Sequence, residues 1–152
     1  MKNSKAKIKK AKKNLSDKKI YVVSTYWNEE IIEPMLKDCS DELIKSGLEP
    51  ISIKVPGAYE LPFLASAVSE KCDLIILLGC IIKGATPHFE IISQSISDAV
   101  LNVSLSKNIP IIFGVLTTNT SAEARERAEY KGAEYALSAL NMLENLSEIS
   151  EK

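Results

Sequence analysis

Apolar residues recur along the chain in two alternating rhythms. Lys19-Ile20-Tyr21-Val22-Val23-Ser24 and Leu74-Ile75-Ile76-Leu77-Leu78 are nearly unbroken apolar runs, as is Ile109-Pro110-Ile111-Ile112-Phe113-Gly114-Val115-Leu116. Each predicts a strand buried on both faces. Ile51-Ser52-Ile53-Lys54-Val55 alternates and predicts a fourth strand. Between these runs the spacing turns helical. One helix is expected from Glu29 to Ser46 with Gly47 as its stop, and another is led by Pro62 to about Lys71. A third should run from Pro87 to Lys107. The last is opened by the capping box Thr120-Ser121-Ala122-Glu123 and reaches about Asn145, with Gly132 as a candidate break. Pro34 sits awkwardly in the first helix, which must either begin later than Glu29 or kink. Strand and helix alternate throughout, with no internal repeat and no domain linker. That order predicts a parallel sheet with right-handed crossovers and helices on both faces.

In such a sheet, ligands bind at the carboxyl ends of the strands. Four loops should gather there: Tyr26-Trp27-Asn28, Gly57-Ala58-Tyr59-Glu60, Cys80 to His88, and Phe113 to Asn119. The third is the richest. Gly79-Cys80-Ile81-Ile82-Lys83-Gly84-Ala85-Thr86-Pro87-His88-Phe89-Glu90 reads as a turn leaving the third strand and entering a helix, with Thr86 as N-cap, Pro87 first and His88 second in the helix. The free N–H groups of that helix start suit a phosphate. His88 is the only histidine in the chain, and beside an anion cradle it is a candidate proton carrier. Trp27 is either a plate for a flat heterocycle or a cover over the sheet edge. Glu60 suits a polyol or a pyrimidine N–H, or it only complements a helix start. Tyr59 and Phe113 read first as packing residues. Lys83 is a solvated charge or a second phosphate partner. Arg127 either pairs with Glu123 one turn earlier or recognises phosphate.

Composition narrows the class. A chain of 152 residues makes one domain with room for a core. No apolar run is long enough to span a membrane, and the lysine-rich start lacks the apolar stretch of a secretory signal. Cys39, Cys72 and Cys80 form no C-x-x-C pair, which fits a reduced cytoplasm and offers no metal constellation. The net charge of -1 hides an asymmetry: nine of the 19 Lys and Arg residues fall in the first 19 positions, against the single acid Asp17. Residues 1–18 are therefore expected to form a basic, disordered arm ahead of one folded domain, 19–152. Contact with nucleic acid or with the acidic body of a neighbouring subunit are its alternatives. The arm has no aromatic residue to stack on bases, which argues against nucleic acid.

Three segments carry a resemblance. Gly57-Ala58-Tyr59-Glu60-Leu61-Pro62, Gly84-Ala85-Thr86-Pro87-His88-Phe89-Glu90 and Pro110-Ile111-Ile112-Phe113-Gly114-Val115-Leu116-Thr117-Thr118, in this order and spacing, resemble the lumazine synthase family. The likeness runs from about Ile20 to Leu146. It implies a flavodoxin-like three-layer α/β sandwich with a four-stranded parallel sheet. It also implies a reaction joining 5-amino-6-(D-ribitylamino)uracil to 3,4-dihydroxy-2-butanone 4-phosphate, with no metal and no cofactor. By position, Trp27 matches the aromatic that stacks on the pyrimidine, and Ala58, Tyr59 and Glu60 match the segment holding ring and ribityl chain. Cys80, Ile81 and Ile82 match contacts to the same substrate, Ala85 and Thr86 the phosphate cradle, and His88 the proton-transfer residue. Phe113 matches a pocket wall contributed by an adjacent subunit, Arg127 the phosphate-binding arginine, and Lys131 a nearby lysine. Only Ala128-Glu129-Tyr130 separates Arg127 from Lys131, a shorter segment than bacterial members often have. The resemblance further implies a homopentamer, alone, stacked in a decamer or built into an icosahedral shell, with sites shared between subunits and riboflavin synthase as a partner. A flavin-holding protein without turnover and an inactive shell protein are the rival readings. Intact His88 and Arg127 favour the enzyme.

Overall fold

A computed structural model describes residues 7–151; residues 1–6 of the basic arm and residue 152 lie outside the described residues. The strands are β1 (Ile20–Thr25), β2 (Ile51–Val55), β3 (Leu74–Ile82) and β4 (Ile111–Thr118). The helices are α1 (Glu29–Lys45), α2 (Leu61–Val68), α3 (His88–Lys107) and α4 (Ser121–Ser150). All strand pairs are parallel, in the order β2-β1-β3-β4. This is the flavodoxin-like order, with the chain reversing its direction of growth between β1 and β3.

The unbroken apolar runs fill both faces of the sheet. Val22, Leu74, Ile76, Leu78 and Leu116 pack with α1 and α4, whereas Val23, Ile75, Leu77 and Val115 pack with α2 and α3. Each fully buried Leu or Ile of β3 contributes roughly 1.5–3 kcal/mol relative to exposure. The arm contributes as well. Leu15 is 2% exposed within the α1/α4 core. Lys12 N–H donates to Glu144 of α4 at 2.9 Å, and Lys13 pairs with Glu151 at 2.8 Å. The packed body thus begins ahead of residue 19.

Several elements differ from their sequence reading. β3 does not turn at Gly79 but continues through Ile82, because β4 pairs alongside it: Gly79 lies opposite Val115 and Ile82 opposite Thr118. The same pairing makes Thr117 and Thr118 strand rather than loop. Helix α1 begins at Glu29 with Pro34 inside it, so the later start is excluded. Ala58–Glu60 is a 3₁₀ turn, and the following α-helix ends at Val68, with a second 3₁₀ turn over Ser69–Lys71. Helix α3 begins at His88 rather than Pro87, since Pro87 has ψ 4° and stays outside the helix. Helix α4 runs past Asn145 to Ser150 and does not break at Gly132. That glycine is instead where α4 touches α1, for a Cβ there would lie 2.2 Å from the Met35 carbonyl oxygen. Ala124, Ala128, Ala136 and Ala139 continue the buried small-residue face of the helix. Among the described residues no helix is long and apolar enough to cross a membrane.

Candidate active site

The site follows from the way β1 leaves the sheet. β1 pairs with β3 only as far as Val23 opposite Leu77, but with β2 as far as Thr25 opposite Val55. The chain then stays with the β2 side: Tyr26 N–H donates to Val55 O and Trp27 N–H to Pro56 O, both at 3.0 Å. Beyond Leu77 the β1-facing edge of β3 has no strand beside it. A crevice opens there, at the point where ligands bind in sheets of this order. It is a cleft of ≈ 490 Å³.

Each wall has a local cause. Thr25 Oγ1 donates to Trp27 O at 2.9 Å, holding the turn that leaves the Trp27 ring 74% exposed at the cleft. Asn28 ends this turn in the left-handed region, φ 62° and ψ 39°. An asparagine before a helix ordinarily caps its first turn, worth about 0.5–2 kcal/mol. Asn28 makes no such bond; its Nδ2 reaches across the crevice to Cys80 O at 3.1 Å. On the β2 side, Gly57 N–H donates to Glu60 Oε2 at 3.0 Å, which fixes the carboxylate at the cleft wall beside Ala58 and Tyr59. Cys80, Ile81 and Ile82 form the β3 side. Burial first, and the Glu30 carboxylate second, push the Cys80 thiol up to about 11, so it stays protonated near neutrality.

The loop from Lys83 to Pro87 closes the far end. Lys83 N–H donates to Thr118 O at 2.8 Å, and its ammonium lies 3.5 Å from Glu90 in the first turn of α3. Gly84, Thr86 and His88 line the cleft, with the exposed Ala85 between the first two. His88 N–H reaches Thr86 Oγ1 only at 3.4 Å, so the first turn of α3 keeps donors for an incoming anion.

Nine of the sequence-predicted residues thus meet at one cleft: Trp27, Ala58, Tyr59, Glu60, Cys80, Ile81, Ile82, Thr86 and His88. Ala85, Phe113, Arg127 and Lys131 do not line it. Phe113 lies partly exposed on the edge strand β4. Arg127 lines a separate recess of ≈ 300 Å³ with Asn119, Glu123, Glu126 and Tyr130. It forms no ion pair with Glu123 among the described residues; that carboxylate accepts from Asn119 N–H at 3.1 Å. Lys131 pairs with Glu134 at 3.0 Å. The sequence reading placed Asn28 and Gly57 in loops at this edge without giving either a role, and it missed Phe89 and Ile92 as cleft residues. The helical spacing of Phe89 and Ile92 after His88 was an available signal, since residues three and four apart share a helix face.

The family model for 6,7-dimethyl-8-ribityllumazine synthase matches residues 17–147. The chain belongs to the lumazine synthase family. It is 38% identical to the 6,7-dimethyl-8-ribityllumazine synthase of Protochlamydia amoebophila, over 93% of this chain and 87% of the relative. Identity is 41% with the synthase of Syntrophus aciditrophicus (86% of this chain, 91% of the relative) and 40% with that of Desulfotalea psychrophila (82% and 86%). The lumazine synthase match covers every strand and the whole cleft, and leaves most of the basic arm outside it.

Proposed function

We propose that the chain condenses 5-amino-6-(D-ribitylamino)uracil with 3,4-dihydroxy-2-butanone 4-phosphate to 6,7-dimethyl-8-ribityllumazine, the penultimate step of riboflavin biosynthesis. The observation that carries this reading is the single crevice that gathers an aromatic plate, a fixed carboxylate, an unpaired strand edge, a helix start and the only histidine. Trp27 stacks on the pyrimidine. Glu60 spends one oxygen on Gly57 N–H and turns the other to the ribityl hydroxyls. The edge of Cys80 to Ile82 receives the ring. Ala85, Thr86 and the start of α3 hold the phosphate. The substrate amine attacks the ketone carbon and loses water to give an imine, phosphate leaves, and the ribityl-bearing nitrogen closes the second ring with loss of another water. His88 carries protons between these steps. The site otherwise supplies orientation and an anion hole.

Arg127 and Phe113 then come from a neighbouring copy, arranged head-to-tail in a homopentamer that stands alone, stacks or builds a shell. Support comes from α3, where only Ile96 and Val100 are buried while Ile91, Leu101 and Leu105 are exposed. The surroundings of this ring are the cytoplasm, and riboflavin synthase is the partner that takes the product. Residues 1–18 are an arm that takes no part in catalysis, although its end packs on the body through Leu15.

Mixing the two substrates with the protein and following lumazine absorbance tests the activity. A rate no higher than the uncatalysed one overturns it. His88→Ala should lower turnover toward the low end of ~10²–10⁴-fold, with substrate affinity largely kept.

A further inference from the structure

We propose that Asn28 is the positioning residue that sets the width of the heterocycle slot, by tying the Trp27 turn to β3 across the crevice. The inference rests on the reading of the cleft as a pyrimidine site and deepens it.

Three observations meet at this residue. First, the Trp27 turn is anchored from the β2 side by backbone bonds, Tyr26 N–H to Val55 O and Trp27 N–H to Pro56 O. Nothing in those bonds fixes its distance from β3. Second, the β1–β3 ladder has ended at Val23 and Leu77, so the strands cannot set that distance either. Third, Asn28 Nδ2 donates to Cys80 O at 3.1 Å, the one hydrogen bond joining this turn to β3 among the described residues. The Asn28 amide therefore takes over from the missing rungs of the ladder.

The local backbone agrees. Asn28 holds a left-handed φ of 62° and forgoes its ordinary capping bond. Asparagine is among the few residues other than glycine that visit this region routinely, because its short polar side chain bonds locally. Here that side chain is sent across the crevice instead. A wider slot would let a flat ring tilt between Trp27 and the β3 edge. A looser turn would lose stacking without disturbing the phosphate end of the cleft, which is built from Gly84 to His88.

Two variants in the full-length protein test this. Asn28→Gly keeps the left-handed backbone accessible and removes the amide. Asn28→Asp keeps shape and turn preference but presents no donor to the Cys80 carbonyl near neutral pH. In both, the KM for the ribitylaminouracil should rise about tenfold, while the KM for the butanone phosphate moves less than about twofold. Trp27 is the only tryptophan, so its emission anisotropy in the ligand-free protein should fall in both variants. Unchanged anisotropy with an unchanged pyrimidine KM overturns the proposal. So does an equal rise in both KM values accompanied by loss of melting temperature in both variants, since that is general structural damage. If the wild-type protein forms no lumazine, the activity reading fails by itself, and the anisotropy comparison still decides the role of Asn28.

Discussion

The two helical layers of this molecule are finished to different degrees. Helices α1 and α4 pack backbone to backbone at Met35 and Gly132, and the large exposed apolar residues of α4 are confined to its last turns, Met142, Leu146 and Ile149. On the other face, α3 buries Ile96 and Val100 but presents Ile91, Leu101 and Leu105 to solvent along its length. The first layer is a core closed within one chain. The second is a surface that a further copy would close. If assembly uses the α3 face, as proposed, stability and assembly belong to opposite faces of the same sheet, and each can be attacked separately.

The largest effect is expected on the closed face. Gly132→Val forces a Cβ into the Met35 carbonyl, and overpacking typically costs about 1–3 kcal/mol, with this backbone clash expected at the upper end. Urea unfolding should show it as a lower midpoint, and a change below about 1 kcal/mol would mean that α1 and α4 can separate freely.

The open face is tested next, by complementation. Trp27→Ala should weaken the pyrimidine by ~1–3 kcal/mol, and Arg127→Ala should weaken the phosphorylated ketone by about 1.5–3 kcal/mol. Co-expressed in mixed rings, the two variants leave roughly one interface in four with both residues intact. Activity at limiting substrate should then exceed the mean of the two pure variants. Simple averaging, in rings shown to be mixed by mass spectrometry, would place Trp27 and Arg127 in the same chain's site.

Alkaline pH distinguishes the layers again. Burial pushes the Cys39 thiol on α1 from 9.0 up to about 12. Burial, followed by Glu134, pushes the Tyr135 phenol on α4 up to about 12. In each case the folded form holds a proton that the unfolded form releases. The stabilisation is complete below the unfolded value and is lost as pH climbs through the folded one. Stability should therefore fall from about pH 9 upward, by about 1.4 kcal/mol per pH unit for each proton so held. Unfolding midpoints at several pH values, in wild type and in Cys39→Ala, should differ in slope; equal slopes would show that Cys39 titrates alike in both states.

The smallest effect on folding belongs to α3. Leu105, 74% exposed, should tolerate Leu105→Lys within about 0.5 kcal/mol, yet sedimentation should show smaller assemblies. An intact ring would remove this part of α3 from the interface.

What the sequence disclosed divides along similar lines. Local rules were enough for the N-cap of α4, where Thr120 Oγ1 accepts from Glu123 N–H at 3.2 Å while the Glu123 carboxylate turns to Asn119 N–H rather than completing the box, and for the strand–helix alternation. They failed where a distant partner decides. Gly79 looks like a turn until β4 lies beside it, and Gly132 looks like a helix break until α1 is laid against it. Asn28 reads only as part of the turn after the first strand, and only the crevice shows what its side chain reaches. The cleft residues were legible because most cluster in contiguous motifs. The placement of Arg127 in its own recess depends on the relation of α4 to the whole sheet, which spacing does not carry.

The early parting of β1 from β3 has one more consequence. A site made by two lobes must close on its ligand, but this one is an unzipped seam in a continuous sheet, with its floor already in place. A planar molecule entering it meets the bare flank of β3 much as a neighbouring strand would, with donors and acceptors in a fixed row on one side and an aromatic lid on the other. A flat heterocycle with alternating N–H and C=O groups is, to that flank, a short piece of peptide. On the proposed reading, recognition amounts to a small molecule standing in for the rungs that β1 leaves out and that Asn28 does not already supply at Cys80 O.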